Sequence, residues 1–229
     1  MPSWSHLIRF QADDGEKYFS YFESKPDETL LTGKSVTGFS VFADLLKGES
    51  GRSVTIREIL APVPYNGDII CIGLNYSKHA EEAKLSVPLD PVMWYKPSRA
   101  LRGPGNLKVP KTVANNFPDF EGELCIVTSK DALNVSVEDA SKYILGFTAG
   151  NDLTARSYQD PKRGGNQFTR CKAFDGFAPV GPLLVNAQEF GDWSTRRIVT
   201  KVNGKVFQDS ECDLIHGPAK LAQPCLLAR

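Results

Sequence analysis

The chain has 229 residues, of which 41% are hydrophobic and 24% charged, and its 27 basic residues balance its 27 acidic residues. This composition predicts a globular chain with one sizeable core or two small domains, and with no basic stripe for nucleic acid or a membrane surface. The apolar runs are far shorter than a membrane span. Five scattered cysteines without a Cys-x-x-Cys pair indicate a reducing compartment, with neither a disulfide framework nor a zinc site.

The first 65 residues are expected to form a small β-rich domain. Apolar stretches at 7–11 and 18–23 predict two strands joined by an Asp-Asp-Gly turn. A helix is expected from Ser40 to Leu46. The proline-bounded stretch from Glu58 to Pro64 is interpreted as a connector, which sets the predicted domains at 1–65 and 66–229.

The second predicted domain consists mainly of short strands. The expected strands lie at 68–73, 91–96, 120–128, 144–149, 177–185 and 197–207. A helix is expected at 75–85 with Ser77 as its N-cap, and Ser136 with Asp139 resembles a capping box. The stretches 101–118 and 156–170 are predicted as loops, the second of them mobile. Asn203-Gly204 is a strong hairpin signal.

Three acidic residues form a candidate metal site. Glu121 and Glu123 are two apart in a predicted strand, so their side chains share one face. Two carboxylates on an apolar strand repel each other unless a cation lies between them, and Asp152 after the next strand can complete the group. Oxygen ligands of this kind suit Mg²⁺, Mn²⁺ or Ca²⁺. The alternative interpretation is a solvated strand face.

Two further features carry possible chemistry. His79 and Glu82 are three apart on a predicted helix, where a carboxylate can orient the imidazole as a general base. Ordinary polar contacts on an exposed helix are the alternative, and they explain such a spacing more often. Lys172 can stabilise developing negative charge, or it can be a surface lysine at a turn.

Five motifs in fixed order resemble the fumarylacetoacetate hydrolase superfamily, in particular its domain-containing proteins. The resemblance covers about residues 66–215, with a weaker match over 5–62. The motifs are Gly73-Leu-Asn-Tyr-Ser-Lys-His-Ala-Glu-Glu82, Pro91-Val-Met-Trp-Tyr-Lys-Pro97, Asp119-Phe-Glu-Gly-Glu-Leu124, Gly146-Phe-Thr-Ala-Gly-Asn-Asp-Leu-Thr-Ala-Arg156 and Lys172-Ala-Phe-Asp-Gly-Phe-Ala-Pro-Val-Gly-Pro182.

The resemblance implies an α+β, mainly β fold: a mixed β-roll with a small N-terminal domain, usually assembled as a homodimer. It implies a metal-dependent enzyme of small 2-oxo and 1,3-dicarbonyl acids, working by C–C hydrolysis, decarboxylation or tautomerisation through a metal-stabilised enolate. By position, Mg²⁺ or Mn²⁺ is implied at Glu121, Glu123 and Asp152, with Ca²⁺ possible. The implied catalytic residues are His79, Glu82 and Lys172, and the implied substrate-pocket residues are Arg156 and Gln159.

The sequence departs from the family pattern after about residue 215. The expected Thr-Gly-Thr-Pro-type loop and closing strands are not found in 216–229, and Ser157 replaces an aspartate of many relatives. We therefore expect a truncated roll with unpaired edges and low stability. A non-catalytic remnant that keeps only metal binding or dimerisation is the alternative to an active enzyme. Several relatives are mitochondrial, and without a clear presequence the expected compartment is the cytoplasm or mitochondria.

Overall fold

The computed structural model describes residues 4–64, 67, 69–131 and 135–225. The fold is α+β, with mostly strands and short helices. The first elements are β1 (His6–Ala12), β2 (Lys17–Phe22), β3 (Ser35–Gly38), α1 (Phe42–Lys47) and β4 (Arg52–Leu60). The elements around the middle of the chain are β5 (Ile69–Gly73), α2 (Ser77–Glu82), β6 (Val92–Lys96), β7 (Leu101–Arg102), α3 (Lys111–Ala114), β8 (Pro118–Asp119) and β9 (Gly122–Thr128).

The remaining elements follow residue 135. They are α4 (Val137–Ala140), β10 (Ile144–Asn151), β11 (Thr154–Ala155), α5 (Pro161–Gly164), α6 (Thr169–Lys172), β12 (Ala178–Pro179), β13 (Leu184–Asn186), α7 (Ala187–Phe190), β14 (Arg197–Val202), β15 (Lys205–Glu211) and α8 (Pro218–Cys225). None of the helices in the described ranges is both long and apolar enough to cross a membrane.

A seven-stranded sheet forms the centre of the fold. Its order is β3-β4-β1-β13-β10-β9, with β2 also paired to β1. All of its neighbours are antiparallel. Because side chains alternate along a strand, β1 contributes to two cores: Ile8 and Phe10 pack in one apolar cluster, and Leu7 packs in another with Leu184.

The sheet crosses the predicted domain boundary at residue 65. Strand β1 pairs with β13, with Leu7 opposite Leu184, and it also pairs with β4. The predicted connector from Glu58 to Pro64 is wrong in its first part, because β4 continues to Leu60 and stays paired with β1. The division into two domains stays a prediction, as does the mixed β-roll that is incomplete at its C-terminus.

Two predicted turns are confirmed. Strands β1 and β2 form a hairpin around Asp13-Asp14-Gly15, where Gly15 has a φ of +86° that a side chain disfavours. Strands β14 and β15 form a hairpin at Asn203-Gly204, and both turn residues have positive φ.

Four local predictions need correction. The predicted loop at 101–118 contains β7, α3 and the start of β8, and the predicted mobile loop at 156–170 contains short helical turns. The predicted strand at 177–185 is divided into β12 and β13. Ser77 is not a side-chain cap: Tyr76 occupies the N-cap position of α2, and the Asp213 carboxylate accepts a hydrogen bond from the Lys78 N–H. Ser136 does cap α4, as predicted.

Candidate active site

The predicted site residues line one cavity of about 1780 Å³ between the β5–β6 pair and the main sheet. The cavity is lined by His79, Glu82, Glu121, Glu123, Asp152, Arg156, Gln159 and Lys172, together with many apolar side chains. Its size exceeds the roughly 300–1,000 Å³ of an ordinary small-molecule pocket. All the site residues predicted from the sequence therefore line the same cavity, although not all of them contact one another.

Antiparallel pairing brings the three carboxylates together. Glu121 immediately precedes β9, Glu123 lies within β9, and Asp152 follows β10. The register places Gly150 opposite Glu123, and the Asp152 N–H donates to the Glu121 carbonyl at 2.8 Å. The ends of the two strands consequently present the three side chains to the same part of the cavity.

Lys172 lies at the end of α6 and bridges two of these carboxylates. Its ammonium donates to Glu121 Oε2 at 2.7 Å, to Asp152 Oδ2 at 2.6 Å and to Thr154 Oγ1 at 3.0 Å. The side chain is only 2% exposed. Burial acts to lower the pKa of Lys172, but the charges of Asp152 and Glu121 outweigh burial and hold the pKa above its usual value. The lysine is therefore a fully charged member of the site.

Lys96, at the end of β6, is a second buried lysine at the same carboxylate. Its ammonium donates to the carbonyls of Phe177 at 2.5 Å and Leu153 at 3.2 Å. It also lies 2.5 Å from Asp152 Oδ1, an ion-pair distance, although that oxygen accepts no well-aligned hydrogen bond. With 1% of its side chain exposed, Lys96 is a fixed counter-charge for Asp152.

Arg156 forms ion pairs with two carboxylates, those of Asp119 and Glu121. Because Thr154 of β11 pairs with Asp119 of β8, the arginine that follows β11 reaches Asp119 Oδ2 from Nε at 2.8 Å. Its Nη1 donates to Glu121 Oε1 at 2.5 Å and to Gln159 Oε1 at 3.1 Å. Arg156, predicted to line the substrate pocket, thus also binds a carboxylate of the candidate metal site, and Gln159 contacts Arg156.

Glu123 has a different environment from the other two carboxylates. Its Oε2 accepts a hydrogen bond from the Tyr76 hydroxyl at 2.8 Å. Burial raises the pKa of Glu123 to about 7; the Tyr76 hydrogen bond opposes this rise, and the charges of Glu121 and Asp152 add to it. The carboxylates therefore repel one another across the site.

His79 and Glu82 do not form the predicted pair in this structure. Both side chains are exposed on α2, and among the described residues no hydrogen bond joins the imidazole to the carboxylate. The helical spacing was predicted correctly, and both residues line the cavity. The i,i+3 spacing alone does not bring their polar atoms into contact.

The donor chemistry of the cluster fits a hard divalent ion. Glu121, Glu123 and Asp152 offer only oxygen ligands, their mutual repulsion favours an added cation, and Asp152 Oδ1 is a buried acceptor without an aligned donor. Across the part of the chain that the structure describes, no group of three His, Cys, Asp or Glu side chains is already arranged to hold a metal. Lysine and arginine side chains form ion pairs with two of the three carboxylates, Glu121 and Asp152.

Comparison with known proteins gives the family. Residues 68–225 match the family model described as Fumarylacetoacetate (FAA) hydrolase C-terminal. The chain belongs to this family.

Curated relatives of this fumarylacetoacetate hydrolase family chain include a Fumarylacetoacetate hydrolase domain-containing protein 2 homolog from Dictyostelium discoideum. It is 36% identical over 191 residues, which cover 80% of this chain and 62% of the relative. A mitochondrial oxaloacetate tautomerase from Bos taurus (FAHD2A) is 36% identical over 66% of this chain and 48% of its own length. The chain thus spans about half to two thirds of these relatives.

Solved structures support the same assignment. The 5-carboxymethyl-2-hydroxymuconate delta-isomerase from Mycobacterium smegmatis aligns with a TM-score of 0.77 and 30% identity, over 98% of this chain and 82% of that chain. The 2-hydroxyhepta-2,4-diene-1,7-dioate isomerase from Mycobacterium marinum aligns with a TM-score of 0.74 and 28% identity.

Sequence reasoning missed three residues of this fumarylacetoacetate hydrolase family site. They are Tyr76, Lys96 and Asp119, each of which contacts a predicted site residue. All three stand inside the motifs that carry the resemblance, so the motifs contained the signal. The position of Lys96 at the end of the apolar run Val-Met-Trp-Tyr is a second sequence signal. A lysine buried there requires a buried counter-charge, which Asp152 supplies.

Proposed function

We propose that this chain is a divalent-metal-dependent enzyme that isomerises small 2-oxo or 1,3-dicarbonyl carboxylic acids, with keto–enol tautomerisation of an oxaloacetate-like acid as the favoured reaction. The observation that carries the proposal is the convergence of Glu121, Glu123 and Asp152 with the buried Lys172 in one cavity. The names of relatives, oxaloacetate tautomerases and dienoate or muconate isomerases, support a proton-shifting reaction on oxo acids.

The residues that would hold the ion are Glu121, Glu123 and Asp152. When bound, Mg²⁺ or Mn²⁺ supplies Lewis-acid polarisation of a substrate oxygen. The neighbouring cations Lys96 and Arg156 reduce the negative charge of the cluster, so an anionic 2-oxo acid meets less repulsion at the site.

Tautomerisation requires the transfer of one proton between a substrate carbon and the oxo oxygen. A C–H bond beside the oxo group breaks and its electron pair forms a C=C bond, while the C=O π pair moves to the oxo oxygen, where an O–H bond forms. Lys172 is a charged donor in a largely dry position, suited to stabilise negative charge as it develops on that oxygen. His79 lines the same cavity and is the candidate carrier of the proton, with Glu82 one helical turn away.

C–C hydrolysis of an acylpyruvate is the second candidate. It uses the same carboxylates and Lys172, but His79 takes its proton from water instead of from carbon. The names of the relatives favour isomerisation, and the two reactions give different products. Product analysis therefore separates them.

The test follows the ultraviolet absorbance of enol oxaloacetate and enol acetylpyruvate with the purified chain and Mn²⁺, before and after chelation. Glu123→Gln is the site variant, and Glu81→Gln is the matched control because Glu81 is exposed on α2 outside the cavity. We expect the chelator to abolish activity, Glu123→Gln to lower the rate at least about a hundredfold, and Glu81→Gln to match the wild type.

Two results would contradict the proposal. One is turnover that survives complete removal of divalent ions. The other is a Glu123→Gln rate equal to the wild-type rate in protein that folds and binds Mn²⁺. Recovery of unaltered oxaloacetate after loss of the enol signal would identify tautomerisation, whereas new cleavage products would identify hydrolysis.

A further inference from the structure

The first turn of α2 is anchored far along the chain. The Asp213 carboxylate accepts from the Lys78 N–H at 2.7 Å, and the Asp213 carbonyl accepts from the N–H and the hydroxyl of Ser77. The buried Asn75 exchanges two hydrogen bonds with the backbone of His216, at 3.0 and 2.8 Å. These contacts fix the start of the helix, since a short helix with six residues has little stability of its own.

Tyr76, the N-cap residue of α2, extends from this anchored base to β9. Its hydroxyl donates to Glu123 Oε2 at 2.8 Å and accepts from the Leu124 N–H at 3.4 Å. Within the described ranges, no other side chain donates a hydrogen bond to the Glu123 carboxylate. Glu121 and Asp152, in contrast, are held by lysine and arginine side chains.

The second half of α2 carries the two candidate proton-transfer residues. His79 lies three residues beyond Tyr76, about 4.5 Å along the helix axis, and Glu82 lies one turn further. Both are exposed, as is the following segment from Lys84 to Val87. The position of His79 and Glu82 relative to the carboxylates therefore depends on the contacts that fix the first residues of α2.

We propose that Tyr76 is a positioning residue that couples the Glu123 carboxylate to α2, so that cation binding at Glu123 and ordering of the helix stabilise each other. The inference rests on the proposed function, because it needs a cation at Glu123. The Tyr76 hydroxyl restrains one carboxylate oxygen and leaves the other for a ligand. By linkage, a ligand that orders Glu123 then also orders the helix that begins at Tyr76.

The test is hydrogen–deuterium exchange of the full chain with and without MnCl₂, read from peptides that span α2. Tyr76→Phe removes only the hydroxyl. Tyr95→Phe is the matched control, since Tyr95 is 41% exposed on β6 outside the cavity lining. We expect Mn²⁺ to slow exchange in α2 about threefold or more in the wild type and in Tyr95→Phe, and to have no such effect in Tyr76→Phe.

Mn²⁺ affinity, measured by electron paramagnetic resonance, gives a second readout. We expect Tyr76→Phe to raise the Kd about tenfold, the scale of one hydrogen bond to a charged group. Protection of α2 by Mn²⁺ in Tyr76→Phe equal to that in the wild type would overturn the inference. If Tyr76→Phe does not fold, the wild type alone decides: equal protection of α1 and α2 overturns the coupling, and protection confined to α2 and β9 supports it.

The failure of this inference can be distinguished from failure of the proposed function. Wild-type protein that binds Mn²⁺ without any change of exchange in α2 overturns the coupling and leaves the metal site in place. Folded wild-type protein that does not bind Mn²⁺ overturns the metal site, and the coupling with it.

Discussion

Lys96→Met is the sharpest test of how the site is built. Methionine keeps most of the volume of the lysine but removes the ammonium, so Asp152 loses one of its two lysine partners and keeps Lys172. The carbonyls of Leu153 and Phe177 lose the donor that Lys96 supplies. The side chains of Lys96 and Asp152 are 1% and 11% exposed, so water does little to replace the lost contacts. Removing one member of a buried ion pair costs about 3–5 kcal/mol.

For a chain of this size, that loss corresponds to a fall in Tm of roughly 10 °C. Urea denaturation followed by circular dichroism gives the free energy of unfolding. Part of the cost comes from the Asp152 carboxylate, which keeps only Lys172 as an ion-pair partner, so the double variant Lys96→Met/Asp152→Asn should recover about half of it. The measurement is a double-mutant cycle that includes Asp152→Asn alone.

Two outcomes would refute this reasoning about Lys96. A loss of less than about 1 kcal/mol in Lys96→Met would show that the buried pair is not a strong link. A double variant as unstable as the sum of the two single variants would show that Lys96 and Asp152 do not interact in the folded protein.

Two further predictions concern packing around the site. A Cβ at Gly122 would clash with Thr200 Oγ1, so Gly122→Ala should displace the β14–β15 hairpin and lower the free energy of unfolding by about 1–3 kcal/mol. The double variant Gly122→Ala/Thr200→Ala should recover part of this loss. A Gly122→Ala variant as stable as the wild type would contradict the prediction. Asn75→Ala should cost about 2 kcal/mol in urea denaturation because two buried backbone groups of His216 lose their partner, whereas the exposed Asn115→Ala should cost almost nothing. Equal losses at both positions would show that the buried hydrogen bonds are not what matters.

Local chemistry explains which parts of the fold the sequence reveals. The Asn203-Gly204 hairpin, the turn at Asp13-Asp14-Gly15 and the Ser136 cap each depend on residues within a few positions, and all three are confirmed. The loop predicted at 156–170 fails because polar composition does not exclude single helical turns such as α5, which Asp160 caps.

The contacts within the candidate site are the part that the sequence could not predict. The residue types and order of Glu121, Asp152 and Lys172 could be predicted through the family motifs. Their partners could not, because contacts such as Tyr76 with Glu123 and Lys96 with Asp152 join segments 47 and 56 positions apart in the chain. Such contacts follow from tertiary packing, which no local pattern encodes.

The central position of β1 has a consequence for how the chain is made. Leu7 lies opposite Leu184, so β1 lacks this neighbouring strand during synthesis until β13 has been made. At about 5–20 residues per second, the delay is about ten to thirty-five seconds. During this time the apolar side chains on one face of β1 have only the early strands to cover them. The central sheet is therefore completed late in synthesis, and the edge of β1 that pairs with β13 stays open until then.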